Sequence, residues 1–176
     1  MKHSFRKARS FEVKGCFEAR LFCIERLFRD VNPKISTGMC DGRTMASSNP
    51  IERSFELAAE ACADLTPLVY RRLFAQHPEA EAMFRTEGSD LVKGSMLALT
   101  IEAVLDFAGE RSGHFRMIEC EVVSHDAYGT PRDLFVAFFA VIADTLRELL
   151  GPDWSDEIED AWQLLLAELD GAVQRV

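Results

Sequence analysis

The sequence predicts an all-α domain of six or seven helices, and three observations predict it. After residue 49, apolar residues recur at three- and four-residue intervals, the spacing that lines them up on one face of a helix. Polar caps followed at once by proline, at Asn49-Pro50, Thr66-Pro67 and Thr130-Pro131, mark helix starts, because proline suits the first helical position. The one short β-prone run, Glu121-Val122-Val123, is embedded among helix signals, so no strand is expected. No repeat of roughly 20–50 residues is visible, which sets a helical solenoid aside.

Taken in order, Asn49-Pro50-Ile51-Glu52 opens a helix whose stripe of Ile51, Phe55, Leu57, Ala58 and Cys62 carries it to near Asp64. Thr66-Pro67 opens a second over Leu68–Gln76. His77-Pro78 interrupts it, because a residue before proline resists the helical region, and Glu79–Phe84 adds a turn or two. Arg85–Gly88 reads as a polar corner, with Ser89 capping a long helix from Asp90 to about Glu110. Arg111–Gly113 is the next turn, and a shorter helix runs from about Phe115 to Ala127. Gly129 stops that helix. Thr130, Pro131 and Asp133 then resemble a capping box for a helix whose apolar run from Leu134 to Ala143 predicts burial on most sides. After Gly151-Pro152, Ser155 caps the last helix, with Asp156 and Glu157 favourably placed in its first turn. Ile158, Trp162, Leu165, Leu166 and Leu169 form its inner face.

A chain of 176 residues holds one domain with a real core, and an apolar content of 48% with a net charge of −9 fits a folded protein. The acidic balance excludes nucleic acid as the default partner. No apolar run approaches the roughly 18 residues of a membrane span. The five cysteines, at 16, 23, 40, 62 and 120, lack CxxC spacing and read as reduced thiols, so a cytoplasmic location is expected. Charge is unevenly distributed: residues 1–49 hold 10 Lys/Arg against 5 Asp/Glu, whereas the rest holds 10 against 24. The shift marks a boundary near Asn49-Pro50, between an extension (1–49) and a domain (50–176). Within the extension Phe17, Leu21, Ile24 and Phe28 share a helical face, which would suit a membrane surface or a partner helix. The plainer expectation is a poorly ordered appendage, or a translated upstream region with Met45 as the start.

The residue with chemical promise is His125, on the last turn of a helix just before a tight corner that leads into the core. Such an imidazole can fasten a cofactor slung between helices. It can equally serve as a surface residue or a partner for the helix dipole.

Four anchors, in order and at family spacing, resemble the globin family, specifically bacterial single-domain globins and the haem domain of flavohaemoglobins. They are Val69-Tyr70-Arg71-Arg72-Leu73-Phe74-Ala75-Gln76-His77-Pro78-Glu79; Phe84, fourteen residues after Tyr70; His125-Asp126-Ala127-Tyr128-Gly129; and Leu150-Gly151-Pro152-Asp153-Trp154 with Ala161-Trp162. The resemblance covers roughly residues 51–173 and implies a globin fold with helices packed at steep angles around a haem pocket. It implies haem b, since no CxxCH offers a covalent attachment, with His125 as the proximal iron ligand. The Glu121 carbonyl, assisted by Ser124, is expected to hold the other ring nitrogen. Tyr70 is implied as the distal hydrogen-bond donor, with a core tyrosine bonded to a backbone carbonyl as its alternative. Phe84 is implied to stack on the macrocycle and Leu97 to cap the pocket above the iron, although core packing explains both equally.

Two positions depart from the family pattern. Lys93 stands thirty-two residues before His125, where a distal His or Gln is common. A charged lysine cannot accept a hydrogen bond and is costly to bury unpaired, so it is expected to reach outward to solvent or a haem propionate. Phe135 stands ten residues after His125, where flavohaemoglobins place a tyrosine in a proximal network that pushes electron density toward iron. Trp154 and Trp162 read as packing residues, His77 and His114 as solvent-facing, and Cys120 as a small buried hydrophobe.

The function these features imply is reversible binding of O2, and of NO or CO, at a five-coordinate haem. NO dioxygenation would need an external reductase, since no GxGxxG fingerprint or reductase-sized segment is present. The competing reading is a haem-free sensor or interaction module, kept open by Lys93 and the basic extension. The residues leave the oligomeric state open.

Overall fold

The computed structural model describes residues 49–84 and 89–176. The extension assigned to residues 1–49, apart from Asn49, lies outside the described residues, as do the corner at 85–88 and the capping side chain of Ser89. The described residues form seven α-helices and two 3₁₀ turns, with no strand among them. The helices are α1 (Pro50–Ala61), α2 (Thr66–Gln76), α3 (Pro78–Glu81), α4 (Ser89–Ala108), α5 (Arg116–Tyr128), α6 (Arg132–Leu150) and α7 (Asp156–Arg175). The 3₁₀ turns are Ala82–Phe84 and Gly151–Asp153.

The apolar run from Leu134 makes α6 the hub. It packs against α1, α2, α5 and α7, and no residue from Leu134 to Leu146 is exposed. Ile142 and Leu146 have no exposed surface at all, so each contributes about 2 kcal/mol of burial free energy. On α7 the expected stripe is the inner face. Ile158, Trp162, Leu165, Leu169 and also Val173 are buried, with Leu166 half-buried. Trp162 is enclosed without leaving a polar atom stranded: its indole N–H donates to Ser54 Oγ at 3.1 Å, and Ser54 donates to the Ile51 carbonyl at 2.7 Å. That chain fastens α7 to α1.

Helix ends follow the sequence in part. Asn49 caps α1 by accepting from the Ile51 N–H at 2.9 Å, and its amide donates to the Ala108 carbonyl at 2.7 Å, tying the start of α1 to the end of α4. The helix stops at Ala61, three residues earlier than expected, because Cys62 is extended. Thr66 is not the cap of α2; Leu65 holds that position without a side-chain bond, and Asp64 accepts from the Thr66 N–H at 2.9 Å instead. His77 leaves the helical region, and α3 restarts at Pro78. At α6 the cap falls one residue later than read, on Pro131, so Thr130 makes no capping bond there. Ser155 caps α7, accepting from the Ile158 N–H at 3.3 Å.

The α4–α5 corner rests on Asp106, whose role was not read from the sequence. Its carboxylate accepts from the backbone N–H groups of Ser112, Gly113 and Phe115 and from the Ser112 hydroxyl, at 2.6–3.1 Å. The Ser112 hydroxyl bond, together with the backbone bonds, holds that carboxyl far below the usual range. Cys120 is exposed on α5, a correction to its expected burial. The apolar positions of α5 that face the core are Ile118 and Val122, and the helical period carries residue 120 round to solvent.

Candidate functional site

His125 is placed by the way α5 ends. Gly129 has φ 80°, a left-handed conformation natural to glycine, and it closes a Schellman motif. The Gly129 N–H donates to the Asp126 carbonyl at 3.0 Å, and the Thr130 N–H donates to the His125 carbonyl at 2.9 Å. The backbone of His125 is thereby part of the lock. A second tie runs through its neighbour: Arg132, at the start of α6, pairs with Asp126 at 2.7 Å and donates to the Val173 carbonyl at 3.1 Å. Hydrogen bonding to Arg132 lowers the Asp126 carboxyl below its ordinary range. The corner is thus held to α6 and to the end of α7.

The side chain of His125 is a quarter exposed (24%), so the ring faces protein more than water. Its Nδ1 lies 2.8 Å from the Glu121 carbonyl, which can only accept, so Nδ1 is the donor there and, in the neutral ring, Nε2 is the nitrogen with the lone pair. Ser124 donates to the Cys120 carbonyl at 3.0 Å and takes no part in that bond. The ring of Phe135 stands edge-on to the imidazole, with centroids 5.0 Å apart.

Tyr70 lies in α2, 3% exposed, within a cluster of rings. Phe84, Phe138 and Phe74 lie 5.3, 5.6 and 5.9 Å from it between centroids. Its hydroxyl donates to the backbone carbonyl of Lys93 at 3.1 Å. Burial pushes the phenol well above the ordinary tyrosine range, so this group is a neutral donor. The Lys93 ammonium pairs with Asp90 at 3.2 Å and sits over the rings of Phe74 and Tyr70, 5.5 and 6.0 Å from their centroids. With 19% of its side chain exposed, Lys93 lays its stem along the aromatic cluster and carries its charge to an exposed acid. Leu97, one turn further along α4, is buried in the core.

The structure therefore gathers Tyr70, Phe84 and Lys93 directly, while His125 connects to them through α6. Phe135 touches the imidazole and Phe138 touches Tyr70. These two rings are three residues apart and share one face of that helix. The sequence reading missed Phe74 and Phe138 as members of the site. Their signal was the spacing of Phe138 from Phe135 and of Phe74 from Tyr70. A cleft of about 370 Å³ between α5 and α7, bordered by Phe107, Arg111 and Glu168, contains none of the five candidate residues.

Seven described helices, four of them packed around the buried α6, with an imidazole at one corner and an aromatic cluster, define an all-α, globin-like class of protein. The globin family model matches residues 68–173, from the first turn of α2 to the end of α7, and the chain belongs to the globin family. No solved structure matches the chain. Among the described residues no helix is long and apolar enough to cross a membrane.

Proposed function

We propose that this globin binds haem through Nε2 of His125 and uses it to bind O2, or another diatomic gas, reversibly. The observation that carries the reading is the anchoring of the ring: Nδ1 faces the Glu121 carbonyl at 2.8 Å, so in the neutral imidazole the opposite nitrogen is the one able to bind a metal. The surrounding groups fit a flat apolar macrocycle, since Phe84, Phe135 and Phe138 offer ring edges and faces without hydrogen-bonding groups. Among the described residues no three His, Cys, Asp or Glu side chains gather as a metal cluster, and His125 is the residue this reading assigns to the iron. Neither described cysteine stands in CxxCH spacing, which favours haem b held without a covalent link. The Tyr70–Phe84 and His125 spacings favour the bacterial single-domain or flavohaemoglobin-like subtype.

Bound haem supplies a ferrous iron able to take up a diatomic gas. The protein's part is to orient the imidazole, exclude water with its phenylalanines, and offer the Tyr70 hydroxyl as a donor. That hydroxyl is bonded to the Lys93 carbonyl, so serving a gas ligand means exchanging one acceptor for another. A more negative oxygen would be the stronger acceptor of the two. Lys93 remains at the rim beside Asp90, where it can meet a propionate but offers no acceptor of its own. NO dioxygenation would draw on the same residues together with an external reductase.

The test is the absorption spectrum of the purified, haem-reconstituted protein. The expected result is a Soret band that moves on reduction and again on adding CO. A protein that stays colourless would overturn the proposal in favour of a haem-free interaction module. Nitrate formation from oxygenated protein and NO, sustained only when a reductase is added, would identify the dioxygenase.

A further inference from the structure

We infer that the cleft between α5 and α7 binds a small zwitterion with an apolar body, of which an apolar α-amino acid is the simplest example; this stands apart from the haem reading. The cleft measures about 370 Å³, room for one small molecule. Its inner surface is apolar: Phe107 and Ile118 are buried, and Phe115 meets Phe107 edge-on with centroids 6.3 Å apart. Across from them Gly171 stands inside α7, where glycine is disfavoured, and its missing side chain leaves the space open. Four charged residues, all exposed, form the border. Two of them satisfy each other, since Arg111 pairs with Glu168 at 2.6 Å. Arg111 also lies 4.4 Å from the centroid of Phe107, on a backbone in the left-handed region (φ 54°). Its bridge to α7 braces one end of the cleft. The other two, Glu119 and Arg175, have no ion pair among the described residues. The Arg175 guanidinium lies 3.4 Å from where a Cβ on Gly171 would stand, so it folds back along α7 into the cleft. One unpaired cation and one unpaired anion over an apolar floor match a ligand carrying both charges. Arg175 takes its carboxylate, Glu119 its ammonium, and the apolar body lies against Phe107 and Phe115. A plain carboxylate would meet repulsion from Glu119, and a plain amine from Arg175.

The experiment is calorimetric titration of the full chain with L-phenylalanine, with phenylacetate, which lacks the ammonium, and with phenethylamine, which lacks the carboxylate. It compares wild type, G171L, R175Q, E119Q and the remote control R53Q on α1. Wild type is expected to bind L-phenylalanine with a Kd of about 0.1–1 mM, and each single-charge probe about tenfold more weakly. G171L fills the cleft and is expected to abolish binding while keeping its helical circular dichroism, since leucine is the better helix former. R175Q and E119Q should each weaken L-phenylalanine about three- to tenfold, and R53Q should leave it unchanged. No binding by wild type up to about 10 mM would overturn the inference. So would undiminished binding in G171L, in R175Q or in E119Q, an equal loss in R53Q, or a single-charge probe that binds as tightly as L-phenylalanine. The Soret band reads haem separately, so either proposal can fail without the other.

Discussion

The two candidate walls of the site are held in opposite ways. On the α5–α6 side, backbone and side-chain bonds converge to leave one atom uncommitted. The Schellman closure, the Glu121 carbonyl and the Asp126–Arg132 pair all constrain His125, and in the neutral ring Nε2 is the nitrogen left for a ligand. On the α2–α4 side the useful atom is already engaged, because the Tyr70 hydroxyl donates to the Lys93 carbonyl. An imidazole has two nitrogens and can be anchored by one while the other serves. A phenol has a single proton to donate, so anchoring and serving compete. On the proposed function, the first wall would be ready to take a metal, whereas the second would have to exchange partners to act.

The largest expected effect breaks the first wall. His125→Ala should abolish or greatly weaken haem retention, seen as loss of the Soret band after gel filtration, with helical circular dichroism preserved. Retained haem would show that another residue holds the iron.

Tyr70→Phe probes the second wall. Loss of a donor to a polarised ligand should speed O2 dissociation roughly tenfold to a hundredfold in stopped-flow measurements. Loss of the bond to the Lys93 carbonyl should cost about 1 kcal/mol in urea denaturation. Lower stability with unchanged O2 dissociation would mark the hydroxyl as purely structural.

Gly129→Ala sharpens the comparison by straining the lock alone. No atom lies within 4 Å of the added methyl, so the cost is that of a left-handed alanine, about 1–2 kcal/mol by urea denaturation. Because the strain falls four residues beyond His125, the Soret position should be kept.

The smallest expected effect concerns the Asp126–Arg132 pair. The Asp126 carboxyl is lowered in the folded state, so its contribution is fully present above the unfolded carboxyl value of about 3.9 and is lost as pH falls through the folded one. Wild type should therefore exceed Asp126→Asn in stability near neutral pH. The gap should shrink as urea denaturation is repeated below about pH 4. A gap independent of pH would mean that the pair does not act through its charge.

Much of this was legible in the chain because it depends on neighbours in sequence. Proline and glycine punctuation, the Asn49 and Ser155 caps, the three- and four-residue apolar spacing, and the Glu121 carbonyl one turn before His125 are all local relations. The unbroken apolar run from Leu134 to Ala143 also marked α6 as buried. What stayed hidden depends on how helices cross. Thr130 carries a good capping side chain, yet Pro131 takes the cap where α6 meets α5. Cys120 looks apolar, but the facing of α5 toward Ile118 and Val122 leaves it in solvent.

By itself the sequence determined the order of the helices and bounded their number at six or seven, because periodicity and capping are properties of short stretches. It also singled out His125 as the imidazole at a corner. Only the tertiary structure decided that the Tyr70 hydroxyl meets the Lys93 carbonyl twenty-three residues away, and that Phe135 and Phe138 bridge the two walls. The physical reason is that a hydrogen bond or ring contact between helices is fixed by their crossing and rotation, which no local pattern encodes.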